Sequence, residues 1–189
     1  MRIISGKFKG RKILKSVDNS TRPLKDMVKE SMFNIIEHSK LMNLELKNTN
    51  ILDLYSGIGS FGLECLSRGA KKVFFFEKHL PALDVLKRNI EILDCKNNCE
   101  IVDSDVSNLE EFDKISNYQF DLVFLDPPYK DMNLNFILEK ISKIKILKKH
   151  SFIIIHRNKN IIENYNNKLK VLRVENYGKS KIIFAKIEN

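Results

Sequence analysis

The stretch Ile51-Leu52-Asp53-Leu54-Tyr55-Ser56-Gly57-Ile58-Gly59-Ser60-Phe61-Gly62 decides how the rest of the chain is read. Its apolar start predicts a short buried strand over 51–55, and the apolar run behind it predicts a helix through 63–68. Between them, three glycines stand at G-x-G-x-x-G spacing. Residues without side chains let the backbone turn tightly there and approach a ligand closely. The start of the following helix favours a negatively charged ligand group.

Such a loop serves two cofactor classes. It can hold the pyrophosphate of a nicotinamide dinucleotide or surround the methionine part of S-adenosylmethionine. Two acids bear on the choice. Asp53 stands four residues before the first glycine, at the strand's end. A carboxylate there crowds a pyrophosphate but suits an ammonium, directly or through water. Glu77 ends a second strand predicted over 72–76, twenty residues after Gly57, where an acid accepts hydrogen bonds from both ribose hydroxyls. Taken singly, Asp53 is also a capping residue and Glu77 a surface acid. Their joint placement around the loop points to a cofactor site. Asp105, followed by Val106, comes after a third, weak strand over 100–102. It fits an acceptor for an adenine amino group and an ordinary turn aspartate equally well.

Further along, a uniformly apolar strand over 120–125 runs into Asp126-Pro127-Pro128-Tyr129. In open parallel sheets ligands bind beyond the carboxyl ends of the strands, so this segment shares a crevice with the glycine loop. Two prolines fix the backbone and remove two N–H donors. What remains is mainly acceptors, the Asp126 carboxylate and the Pro127 carbonyl, beside the flat face of Tyr129. An amino group on an aromatic ring is a poor nucleophile, because its lone pair is delocalised into the ring. Two acceptors on its two N–H bonds hold the nitrogen so that the lone pair points at a reactive methyl group, and the rest is in-line alignment. Tyr129 can stack on a base taken out of its helix. A methylsulfonium is already activated, so no metal is expected.

Around these motifs strands and helices alternate, with helices near 81–93 and 134–146 and a fifth strand over 151–156. Alternation implies right-handed crossovers and a parallel sheet covered on both faces. Strand-like runs at 170–175 and 181–187, joined by a turn at 176–179, predict a closing antiparallel hairpin. The expected fold is thus α/β and Rossmann-like, with a seven-stranded, mostly parallel sheet. Before it lies a small N-terminal extension. Residues 2–5 and 11–15 flank a Gly6–Gly10 bend, a short hairpin. A helix then begins at Thr21-Arg22-Pro23, with Val28, Met32, Phe33, Ile35 and Ile36 near one face and Lys25, Lys29 and Glu30 elsewhere.

The chain has 189 residues and 43% hydrophobic content, enough for one compact domain with a core. No apolar run approaches the roughly 20 residues of a membrane span, and the N-terminus has no signal-like stretch, so a cytoplasmic protein is expected. Cys65, Cys95 and Cys99 fit free thiols in a reducing compartment. Cys95 and Cys99 are spaced like half a metal site, but no second pair follows at zinc-finger spacing. Of the net charge of +9, residues 1–29 carry +7. That concentration suggests a polyanionic partner, with a solubilising tail as the other reading of the charge.

Asp126–Tyr129 matches the [Asn/Asp/Ser]-Pro-Pro-[Tyr/Phe] motif of amino methyltransferases acting on nucleic-acid bases, and 51–62 matches their cofactor motif in the same chain order. Over nearly the whole chain the sequence resembles the bacterial 16S ribosomal RNA guanine-N2 methyltransferases, the RsmD family. The likeness includes Arg2-Ile3-Ile4-Ser5-Gly6, Gly10-Arg11-Lys12, Arg22-Pro23 with Val28-Lys29-Glu30-Ser31-Met32-Phe33-Asn34, the helix Phe61-Gly62-Leu63-Glu64-Cys65-Leu66-Ser67-Arg68-Gly69-Ala70, and Tyr177-Gly178. Leu24 replaces a usual threonine, and Tyr55-Ser56 stands where Phe-Ala or Phe-Ser is common.

The resemblance implies a class I methyltransferase that uses S-adenosylmethionine and yields S-adenosylhomocysteine. It implies cofactor contacts at Asp53, Gly57, Gly59, Glu77, Asp105 and Val106, and base binding at Asp126, Pro127 and Tyr129. Its substrate would be 16S rRNA in the small ribosomal subunit or an assembly intermediate. Basic residues Arg2, Lys7, Lys9, Arg11, Lys12 and Arg22 join Tyr129 as candidate nucleic-acid contacts. Residues 1–40 are expected to be an RNA-contacting extension and 41–189 the methyltransferase domain, in a monomer. Arg22 also fits a contact to the cofactor carboxylate, or helix-start packing. An adenine-N6 methyltransferase presents the same motif. A nicotinamide oxidoreductase explains the glycine loop but not Asp-Pro-Pro-Tyr. A non-catalytic RNA-binding assembly factor would keep the fold without needing the acceptor set.

Overall fold

The structure, a computed structural model, describes residues 1–16, 24–131, 133–162, 165 and 169–188, with Leu109 described for its backbone alone. The elements run α1 (Asp26–His38), β1 (Asn50–Leu54), α2 (Ser60–Ser67), β2 (Lys72–Glu77), α3 (Leu80–Leu93), β3 (Cys99–Asp103), α4 (Leu109–Lys114), β4 (Phe120–Leu125), α5 (Leu134–Lys143), β5 (Leu147–Asn158), β6 (Leu169–Tyr177) and β7 (Ser180–Ile187). The strands form one sheet in the order β3-β2-β1-β4-β5-β7-β6. β1 to β5 are parallel, and β7 runs antiparallel between β5 and β6. The α/β fold, the parallel sheet and the closing hairpin agree with the sequence expectation.

Period-two alternation divides the core. Ile51, Val73, Phe75, Leu122, Phe124 and Ile154 face α1, α2 and α3. Leu52, Leu54, Phe74, Phe76, Val123 and Ile155 face α4 and α5. Both sheet faces are therefore covered, which is why β1, β2 and β4 are apolar along nearly their whole length. The helix expected over 134–146 stops at Lys143, because Lys145 adopts a left-handed φ of 55°.

The N-terminal ribbon keeps a single antiparallel bridge, Arg2 to Lys12. Its Gly6–Gly10 bend sits on the end of α2, where the Ser67 carbonyl accepts from the Lys7 N–H at 2.7 Å. A Cβ on Gly6, whose φ is +79°, would fall 1.8 Å from that carbonyl oxygen. Only glycine allows so close an approach.

Lys29 corrects the sequence expectation. Expected away from the apolar face of α1, it is fully buried. Its ammonium donates to the Arg2 carbonyl at 3.0 Å and lies 3.6 Å from the buried Glu64 carboxylate. Glu64 also accepts from the N–H groups of Ile4 and Ser5 and from Arg68. Burial lowers the Lys29 pKa, and Glu64 opposes the shift. One of the nine cations in residues 1–29 is thus internal and belongs to no RNA-facing surface.

Candidate active site

Between β1 and β4 the chain's direction of travel across the sheet reverses. β1 connects outward to β2, and β4 to β5. Such a switch point opens a crevice at the carboxyl ends of the strands. Here it is a cavity of about 470 Å³. Asp53, Gly57, Glu77, Asp105, Val106, Asp126, Pro127 and Tyr129 all line it, so these residues of the two motifs do converge. Gly59 stands behind the wall instead. It has φ +81°, and a Cβ there would lie 2.4 Å from Leu86 Cδ1.

The glycine loop is braced from several sides. Tyr55 enters it in the left-handed region, φ 61°, a conformation costly for a residue with a Cβ. Its hydroxyl donates to Asp131 Oδ2 at 2.8 Å, across the crevice from its own strand. Burial, then Asp131, pushes that hydroxyl's pKa far up, so it stays a donor. Buried Asn89 of α3 donates to the Ile58 carbonyl at 3.1 Å and to the Leu14 carbonyl, and accepts from the Leu14 N–H. One side chain so ties the N-terminal segment to the loop.

Asp53 is 1% exposed. Its Oδ2 accepts from the Gly62 N–H at 3.0 Å, in the first turn of α2, as the capping reading requires. Its Oδ1 is buried with no hydrogen-bond partner among the described residues. Burial raises its pKa well above the carboxylate range; the Gly62 N–H opposes this, while Asp126 and Glu77 add to it. Buried polar atoms are nearly always paired, so an unpaired carboxylate oxygen in a cavity wall calls for a cationic or donor ligand.

Glu77 accepts from the N–H groups of Gly57 (2.7 Å), Lys78 (3.0 Å) and His79 (2.8 Å). These bonds fix the carboxylate against the loop, and its oxygens keep lone pairs for a diol. Asp105 makes the turn its position allows, with Oδ1 accepting from the Ser107 N–H and hydroxyl. Its Oδ2 pairs with Lys78. Those partners hold its pKa down to about 2.

On the β4 side, Pro127 is buried and Tyr129 half-buried. Asp126 Oδ1 lies 2.8 Å from His156 Nδ1. The fully buried Arg157 donates to the Pro128 carbonyl at 3.1 Å and to the Asp131 carbonyl at 3.0 Å, pinning the loop on both sides of Tyr129. Tyr55, Asn89, Asp131, His156 and Arg157 were not read from the sequence as site residues. His156 and Arg157 end a strand, with no local motif to mark them.

The basic residues lie elsewhere. Arg2, Lys7, Lys9, Arg11 and Lys12 are exposed. Lys7 sits at the far end of α2, about 12 Å from the helix start that lines the cavity. Arg11 donates to the Ile92 and Leu93 carbonyls at the end of α3. Arg22 lies outside the described residues. The three cysteines are free thiols, with Cys95 and Cys99 sulfurs 3.8 Å apart. Among the described residues no cluster of His, Cys, Asp or Glu could hold a metal ion, and no helix is long and apolar enough to cross a membrane.

A 3-2-1-4-5-7-6 sheet with an antiparallel seventh strand, bearing an acid-flanked glycine loop opposite Asp-Pro-Pro-Tyr, defines a class I methyltransferase. Residues 1–186 match the family described as conserved hypothetical protein 95. The YlbH protein of Bacillus subtilis is 31% identical over 94% of this chain and 94% of its own length. Ribosomal RNA small subunit methyltransferase D of Buchnera aphidicola, from Acyrthosiphon pisum, is 33% identical over 83% of this chain and 78% of its own. Among solved structures, the yhhF protein of Escherichia coli superposes with a TM-score of 0.82 at 25% identity, covering 100% of this chain and 98% of its own. The chain belongs to this family, the RsmD-type class I methyltransferases.

Proposed function

We propose that the protein transfers a methyl group from S-adenosylmethionine to the exocyclic N2 amine of a guanine in 16S rRNA of the small ribosomal subunit. The observation that carries this reading is one cavity holding both the orphaned Asp53 Oδ1 and the acceptor set of Asp126-Pro127-Pro128-Tyr129. When bound, the cofactor supplies an activated methyl group. Asp53 takes its ammonium, Gly57 and the loop follow its amino-acid part, Glu77 accepts from the ribose hydroxyls, and Asp105 with Val106 borders the adenine. Asp126 and the Pro127 carbonyl accept from the two N–H bonds of the target amine. Tyr129 stacks on the base.

A relative whose name specifies the small-subunit ribosomal RNA supports the choice of substrate. The exposed Arg2, Lys7, Lys9 and Lys12 give residues 1–40 an electrostatic footing for RNA, with Arg22 as a further candidate. Lys7 lies about a helix length from the cavity, as a large folded RNA allows. Residues 41–189 form the methyltransferase domain, and the protein acts as a cytoplasmic monomer.

The test is nucleoside mass spectrometry on small-subunit particles that lack the modification, incubated with protein and S-adenosylmethionine beside free RNA and duplex DNA. N2-methylguanosine in the ribosomal RNA is the expected product, lost in Asp126→Ala. N6-methyladenine, or product only on DNA, refutes the guanine assignment. Methylation unchanged in Asp126→Ala refutes the acceptor set.

A further inference from the structure

Beside the acceptor set, the cavity wall holds His156, which has no role so far. His156 lies in the buried part of β5, immediately after Ile155, which pairs with Leu125 of β4. That register puts the imidazole beside Asp126. Its Nδ1 is 2.8 Å from Asp126 Oδ1, with side-chain exposures of 9% and 24%. The Tyr129 ring meets it edge-on, with centroids 6.5 Å apart and planes at 69°. Asp126 Oδ2 has no partner among the described residues. The carboxylate is therefore tethered through Oδ1.

An aspartate side chain turns broadly about its last torsion. A carboxylate that must accept from an amine at one angle gains from a neighbour that removes this freedom. We propose that His156 is a positioning residue for methyl transfer. It donates its Nδ1–H to Asp126 Oδ1 and so aims Oδ2 at the N–H of the target amine. The role requires a proton on Nδ1, because an ionised carboxylate can only accept. It also explains why a polar ring is kept 7% exposed at the end of an apolar strand. The inference rests on the methyltransferase reading and adds a residue to it.

Two variants and one spectrum test the proposal. The side-chain amide of His156→Asn can donate from near the place of Nδ1, whereas His156→Ala cannot donate at all. Single-turnover methylation with His156→Ala is expected to slow by roughly 10- to 100-fold, as loss of a supporting partner usually does. Its KM for RNA and its affinity for S-adenosylhomocysteine should stay near wild type. His156→Asn is expected to recover most of the rate. In the free protein, nitrogen NMR should show the His156 ring protonated at Nδ1, with that state lost in Asp126→Ala. An alanine variant as fast as wild type, an asparagine variant as slow as alanine, or a ring bare at Nδ1 each overturns the proposal. Wild-type protein that methylates no nucleic acid refutes the proposed function instead, and the spectrum still decides the His156–Asp126 bond.

Discussion

Asp53→Asn separates cofactor binding from folding. In the free protein the carboxylate is 1% exposed, spends Oδ2 on the Gly62 N–H and leaves Oδ1 without a partner among the described residues. The asparagine oxygen can keep the Gly62 bond. Its amide N–H then stands where Oδ1 stood and faces the cofactor ammonium with a donor instead of an acceptor. A hydrogen bond to a charged group contributes about 1.5–3 kcal/mol, and each 1.4 kcal/mol is tenfold. Affinity for S-adenosylhomocysteine, which carries the same ammonium, should fall by roughly 10- to 150-fold in calorimetry. The free protein should respond in the opposite sense. The folded pKa of Asp53 lies above its unfolded value of about 4, so its contribution to stability is complete below that value and is lost as pH rises toward the folded pKa. Asparagine does not titrate, so in urea the variant should match or exceed wild type at pH 8 and lose that advantage at low pH. Wild-type affinity for the ligand should rise with pH, since binding selects the ionised carboxylate, while the variant's stays flat. An affinity within twofold of wild type at pH 8 would refute the assignment of Asp53 to the ammonium.

Glu64→Ala strands Lys29, fully buried, without its paired carboxylate, and should cost about 3–5 kcal/mol in urea unfolding; a loss below 1 kcal/mol contradicts the burial of that pair. Gly59→Ala forces a Cβ onto Leu86 Cδ1 at a left-handed φ of +81°. It should lower the melting temperature, with about 1–2 kcal/mol from backbone handedness alone, and weaken S-adenosylhomocysteine binding in calorimetry. Arg157→Met removes the donors to the Pro128 and Asp131 carbonyls; the methylation rate should fall at least tenfold while cofactor affinity stays within about threefold, because the loop it pins holds the base.

The cofactor half of the site could be read from the sequence because its signal is local. A strand, three spaced glycines and two acids at strand ends lie within 27 residues, and their chemistry survives whatever packs around them. Asp126–Tyr129 was legible for the same reason, since two prolines after an apolar strand specify an acceptor-rich corner without help from the rest of the chain. Helix α4 escaped notice because it is six residues long and mostly charged, although Asn108 caps it by accepting from the Glu110 N–H. Strand β5 starts earlier than expected because its pairing with β4 shifts register between Phe120 and Leu122, which admits the polar residues from Leu147 onward.

Lys29, His156 and Arg157 mark where sequence reading stops, and the reason is common to all three. Each is a cation or a polar ring whose partner lies more than 25 residues away: Glu64 for Lys29, Asp126 for His156, and the Pro128 and Asp131 carbonyls for Arg157. By residue type alone a lysine on a helix belongs outside, and a His-Arg pair closing a strand marks a solvent edge. Only the pairing of β4 with β5, Leu125 against Ile155, carries His156 to Asp126. The residues that present the reacting groups are thus encoded in short motifs. Those that hold them at a fixed angle are encoded in sheet register, so a substitution in β5 can disable the acceptor set without touching any residue of Asp-Pro-Pro-Tyr.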